Sequence, residues 1–133
     1  MNAIVCVDNR QGMLFNHRRQ SRDQALKDFL LNLAGEKGLH MNHFSEKLFE
    51  GSPNIYIAED FLDCAREDDF CFVEDHLLKP YENKIHSLIV CHWNRDYPGD
   101  FFLDLDYSGR KLVFAEEFPG TSHEKITVEV YVK

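Results

Sequence analysis

Positive charge is what this chain has least of. Its 133 residues carry 15 Lys and Arg against 23 Asp and Glu, a formal net charge of -8. That balance argues against general binding to nucleic acid or to an anionic membrane, because both need a positive footprint to displace counterions. No stretch approaches 18 apolar residues, so no membrane-spanning segment is expected. The start, "MNAIVCVDN", lacks a basic flank followed by a long apolar run, and no signal peptide is expected.

Other absences are equally informative. There is no C-x-x-C among Cys6, Cys64, Cys71 and Cys91, which stand far apart in settings such as "IVCV", "FCFV" and "IVCHW". They read as reduced core thiols of a cytoplasmic protein rather than as disulfides or metal ligands. His40 and His43 are three apart in "HMNH", but no H-E-x-x-H or structural zinc spacing is present, and no metal is expected. The H-x-H-x-D-H cluster of two-zinc hydrolases is missing too, so nothing supports a ribonuclease Z activity. Asp96, Asp100, Asp104 and Asp106 do not follow the EF-hand pattern. A P-loop, a G-x-G-x-x-G and a G-x-S-x-G elbow are all absent. Ser122 and His123 are adjacent, but neighbours in an extended chain point to opposite faces.

What the chain does have is an ordinary globular composition with eleven Phe for a core. A single domain over residues 1–133 is expected. "AIVCVD" reads as a buried first strand. Asp23 then precedes Ala25, Leu26, Phe29, Leu30 and Leu33, an apolar stripe of helical period, with Gly35 to end it. "GLHMN" predicts a second strand and "FSEKLFEG" a helix of about two turns. "NIYIA" predicts a third strand, residues 59–68 a short acidic helix, and "FCFVED" a fourth strand. Pro80 limits "HLLKPYENK" to one helical turn. "IHSLIVCHW" follows as a strand, and "RKLVFAEEF" and "EKITVEVYVK" as a closing pair in which Ile126, Val128, Val130 and Val132 alternate. The order implies a mixed α/β sheet, mainly parallel with a C-terminal antiparallel pair, flanked by helices.

The unusual stretch is "GMLFNHRRQSRD". Arg18, Arg19 and Arg22 fall within five residues near a helix start, beside Asn16 and His17. Guanidinium forks together with free helix N–H groups suit a phosphate or carboxylate. The competing reading has them solvating a loop or pairing with Asp8, Asp23 and Asp28.

"IVCVDNRQGMLFN" resembles the opening of the dihydrofolate reductase family, with Val7-Asp8, Gly12-Met13 and Asn16 in the matching places. "GLHMNHFSEKLFE", with Met41, His43 and Ser45, is similar to that family's second strand and helix. "KIHSLIVCHWNRDYPGDFFLDLD" is similar to its strand and acidic turn at Gly99, Asp100 and Phe102. The closing pair fits as well, so the likeness runs in order through nearly the whole chain. It implies a dihydrofolate reductase-like mixed sheet.

The departures bear on activity. "HRRQS" stands where the family has Leu-Pro-Trp, and Ala25 where it has the acid that protonates the pterin. Asp23 and Asp28 flank that position but face elsewhere on the helix. His43 replaces a phosphate-binding Arg, and "VEDH", with Glu74 and Asp75, replaces the Gly-Gly turn beside the pyrophosphate. A strand before "NIYIA" is missing. NADPH in the usual pose and reduction of dihydrofolate are therefore not expected, and no cofactor is assigned. The expectation is a small anionic ligand held by Asn16, His17, Arg18, Arg19 and Arg22, with His43 and Ser45 at the next helix start. Two alternatives stay open. One is NADPH-dependent reduction of another small substrate, with Asp23 or Asp28 as proton source. The other is an interaction protein, a homo-oligomer included, using the acidic surface around Glu59–Asp75 or an apolar patch at Phe101, Phe102, Leu103, Leu105 and Tyr107 unless these pack on the core.

Overall fold

The computed structural model describes all of residues 1–133. Ten strands are present: β1 Asn2–Val7, β2 Gly12–Phe15, β3 Arg18–Arg19, β4 Leu39–Met41, β5 Ile55–Ile57, β6 Phe70–Phe72, β7 Ser87–His92, β8 Phe101–Phe102, β9 Lys111–Phe118 and β10 Ile126–Val132. Seven of them form one sheet in the order β5-β4-β6-β1-β7-β10-β9. All pairings from β5 across to β7 are parallel, and β10 pairs antiparallel with both β7 and β9. This is the mixed sheet that the strand order implied.

Central strands bury both faces, which is why "AIVCV" and "SLIVC" are apolar without alternation. Ala3, Val5 and Val7 of β1 pack with Leu88 and Val90 of β7 on one side. Ile4, Ile89, Cys91 and Trp93 pack on the other, against helix α1. Helix α1 (Gln24–Ala34) contributes Leu26, Leu30 and Ala34, spaced four apart as one face of a helix requires. Phe29 stacks on Phe118 with centroids 5.0 Å apart. Asp23 caps the helix by accepting from the N–H groups of Ala25 and Leu26, and Gly35 closes it at φ 55°.

Three expectations need correction. Residues 59–68 do not form a helix; Ala58–Cys64 is a series of turns held by bonds such as Cys64 N–H to the Asp60 carbonyl. Cys64 is consequently exposed rather than a core thiol, whereas Cys71 and Cys91 are buried. The second helix is a four-residue α2 (His43–Glu46) continued by a 3-10 turn over Lys47–Phe49.

The basic stretch also differs from a loop entering a helix. Residues 12–19 fold into a hairpin, β2 with β3, that joins β8 in a second, three-stranded sheet. Asn16 (φ 50°) and His17 (φ 61°) form its two-residue turn, both left-handed as a tight hairpin of primed type demands. The segment 101–107 packs mainly inward: Leu105 is buried, and Phe101, Leu103 and Tyr107 lie against the core. Exposed apolar side chains are instead concentrated on β9, at Leu112, Val113 and Phe114. No helix is long and apolar enough to cross a membrane.

Candidate functional site

The hairpin, the start of α1, the ends of β6 and β7 and the loop before β10 converge at one end of the main sheet. Asp8, just past β1, organises the first part of this region. Its carboxylate accepts from the backbone N–H groups of Arg10, Gly12 and Tyr97 and from Gln20 Nε2. Burial alone would raise its pKa, but the bonds from Gly12, Arg10 and Tyr97 outweigh that and hold it below the usual range. Asp100 performs a similar task at the hairpin tip, accepting from the Asn16 N–H at 3.1 Å.

The arginines do not act as one cluster. Arg18 and Arg19 are successive residues of a strand, so their side chains leave on opposite faces. Arg19 turns inward, and its Nε and Nη2 each donate at 2.9 Å to a different oxygen of Glu74. Nη2 also donates to the Phe44 carbonyl, and the guanidinium lies 5.2 Å from the Phe44 ring centroid. Glu74 accepts a further bond, 2.7 Å long, from Ser45 Oγ. Arg18 and Arg22 form no salt bridge and donate to no protein acceptor from their side chains. Arg18 and Arg19 both border a cleft of about 570 Å³, together with Phe15, Asn16, Gln20, Tyr97 and Pro98. Arg22 borders a different recess, under α1.

Ser45 and His43 are placed differently from the expectation. Ser45 is the third residue of α2, fully buried and committed to Glu74, so it is not a hydroxyl at an open helix start. The first N–H of α2, from His43, donates at 2.8 Å to Glu59, and the His43 ring bonds Glu46. A carboxylate of the chain itself thus occupies that helix end. Asp75 is likewise engaged, by Asn42 Nδ2 and the His76 ring.

A buried polar constellation that the sequence did not reveal lies next to the arginines. Asp23 Oδ2 accepts from His123 Nδ1 at 2.9 Å, and both side chains are essentially inaccessible. The backbone N–H groups of Thr121 and Ser122 also donate to Asp23. Burial would raise the Asp23 pKa, but His123 and these N–H groups pull it down to about 2. With Nδ1 bonded to a carboxylate, Nε2 is the free nitrogen of the imidazole. It faces two hydroxyls, Tyr97 at 2.9 Å and Ser21 Oγ at 3.1 Å. Trp93 stacks on the His123 ring with centroids 4.7 Å apart. Asp23 was legible as a helix cap, but its partner lies 100 residues further along, beyond any local signal.

The recess under α1, bordered by Ser21, Arg22, Lys27, Leu30, Phe49 and Trp93 among others, encloses only about 20 Å³. That is room for about one water molecule. No group of three or more His, Cys, Asp and Glu side chains converges as metal ligands would.

No protein-family model matches the chain, and no curated protein matches it. The architecture does have solved counterparts. It superposes on dihydrofolate reductase from Enterococcus faecalis, solved with NADP(H) and RAB-propyl, with a TM-score of 0.70 over 98% of this chain and 94% of that one. The fold is that of dihydrofolate reductase. Identity over this superposition is 13%, so the likeness concerns the backbone and not the side chains that line the site. In this dihydrofolate reductase-like fold, the hairpin and the Asp23–His123 pair sit at the same end of the sheet.

Proposed function

We propose that this chain is a dihydrofolate reductase-like protein without folate reductase activity, which binds a small anionic molecule in the cleft beside Arg18. The observation that carries this reading is the unpaired Arg18 guanidinium on the wall of the 570 Å³ cleft. A cleft of that size suits a metabolite-sized ligand. Phe15 and Tyr97 supply aromatic surface, while Asn16 and Gln20 supply amide groups. Arg19 also lines the cleft, but its Nε and Nη2 are committed to Glu74 and the Phe44 carbonyl, so Arg18 is the arginine left to hold the ligand.

Loss of the reductase reaction is supported by the acids and the space present. The only acid at the α1 start, Asp23, is ionised and saturated with hydrogen bonds, so it is no proton donor near neutral pH. A recess of about 20 Å³ does not admit a pterin ring. NADP(H), the ligand of the Enterococcus faecalis enzyme, does not fit the residues of this chain. Glu59 already takes the α2 N–H that a phosphate needs, and the partly exposed Asp75 would meet a pyrophosphate with like charge.

Thermal-shift titration with inorganic phosphate, nucleotides and folates tests the reading. A nucleotide or phosphate is expected to raise the melting temperature of the native chain and not that of Arg18→Ala. No shift with any anion, or an equal shift in the variant, would overturn it. Saturable NADPH binding would replace it with the reductase alternative.

A further inference from the structure

We propose that Ser21, His123 and Asp23 form an acyl-transfer site that hydrolyses short-chain carboxylic esters. It goes beyond the anion-binding reading and does not depend on Arg18. Two distances define the relay: Asp23 Oδ2 to His123 Nδ1 at 2.9 Å and His123 Nε2 to Ser21 Oγ at 3.1 Å, with the Tyr97 oxygen also 2.9 Å from Nε2. A nucleophile, a base and an orienting carboxylate in this order are recognised by geometry and role, not by sequence position.

The surroundings match what each group needs. Asp23 is locked by the Thr121 and Ser122 N–H groups as well as by His123, so the imidazole is held in one tautomer with Nε2 facing Ser21. Trp93 fixes the plane of the ring by stacking. Ser21 itself is only partly buried and borders the recess under α1. The backbone N–H groups of Ser21 and Arg22 donate to no protein acceptor. The N–H of the residue after a nucleophile often donates to a developing oxyanion, and the Arg22 N–H has no competing protein acceptor. The recess of about 20 Å³ has room for the water of the second step, and the ester approaches Ser21 from the solvent side of its partly exposed side chain.

The chemistry closes without any further reactant. As the Ser21 Oγ–carbon bond forms, the Oγ proton passes to His123 Nε2 and then to the departing alkoxide, giving the alcohol and an acyl-serine. Water next attacks the acyl carbon, its proton goes to Nε2, and the Oγ–carbon bond breaks. Ser21 recovers that proton, and the net reaction is ester plus water to acid plus alcohol. Asp23 acts through His123 and is a positioning residue. Tyr97 donates its single hydroxyl proton to Ser21 Oγ at 3.3 Å, which leaves the Nε2 lone pair to the Ser21 hydroxyl.

The full chain is to be treated with a fluorophosphonate probe, mapped by peptide mass spectrometry, and assayed with p-nitrophenyl acetate. One adduct per chain on Ser21 is expected, and ester hydrolysis about 100-fold slower in Ser21→Ala. Ser21→Ala changes a partly exposed side chain and should retain the native melting curve. Asp23→Asn is expected to lower kcat by about 10-fold or more with KM little changed, because the carboxylate no longer fixes the tautomer and plane of the imidazole. No adduct in the folded chain, an adduct on Ser122 or Tyr97 instead, hydrolysis unchanged in Ser21→Ala, or an unchanged kcat in a folded Asp23→Asn would overturn the assignment.

Discussion

Arg19 and Glu74 meet in a two-point ion pair that ties the hairpin to the end of β6, with both N···O distances at 2.9 Å. Glu74 is one of the few buried charged side chains, and Ser45 provides its only other partner. The pair therefore explains why an acid and a base that looked functional in the sequence serve the architecture instead.

Arg19→Ala leaves that carboxylate buried with a single hydroxyl. Urea unfolding is expected to show a loss of about 2–3 kcal/mol, somewhat below the range for a fully buried pair because Arg19 keeps a quarter of its surface. Arg19→Lys retains the charge but not the fork, and should fall between the two. A change in either variant below the error of the measurement would contradict the role assigned to the pair.

Acid should weaken the fold through Asp23. Its folded pKa of about 2 lies below the unfolded value of 3.8, so the native state gains from ionisation. That gain is complete above about pH 4 and is lost as pH falls from there toward about 2, amounting to about 2 kcal/mol. Urea midpoints measured across this window should fall for the native chain. They should fall less steeply for Asp23→Asn, which cannot titrate there.

Gly38 is required by close approach as well as by backbone. It sits at φ 74°, and a Cβ there would stand 2.2 Å from the Asn54 carbonyl oxygen, which accepts the Leu39 N–H beside it. Gly38→Ala is expected to cost about 2 kcal/mol or more and to loosen β5 first. Faster amide exchange at Ile55–Ile57 than elsewhere in the sheet is the readout. Uniform exchange would contradict a local effect.

Thiol chemistry should distinguish the cysteines by burial. Cys64 alone is exposed, and its bond to Asp60 raises its pKa, so it should alkylate slowly at neutral pH. Cys71, pushed up to about 12 by burial, and the buried Cys91 should react only on unfolding. Iodoacetamide labelling followed by mass mapping checks the order, and early modification of Cys71 would contradict it.

Much of the sheet was legible in the chain because its signals are local. Continuous apolar runs mark β1 and β7 as buried on both faces, and the alternation in β10 marks one buried face. Asp23 and Gly35 bound α1 by cap chemistry that needs only neighbouring atoms. The acidic segment 59–68 misled because its amphipathic spacing favours a helix, whereas Ala58–Cys64 settles into turns. The hairpin at 12–19 was hidden because its turn uses Asn16 and His17 in left-handed conformations without the usual glycine.

The candidate site divides along the same line. Sequence by itself determined that three arginines of an acidic chain crowd into residues 18–22, that Asp23 starts a helix, and that the order of strands and helices suits one mixed sheet. Only the tertiary structure decided which arginine is spent on Glu74, which one stands unpaired on the cleft wall, and which histidine meets Asp23. Those outcomes depend on contacts across 55 and 100 residues of chain, set by strand pairing and burial. A carboxylate removed from water takes whichever donor the fold brings to it, and no local pattern names that donor in advance.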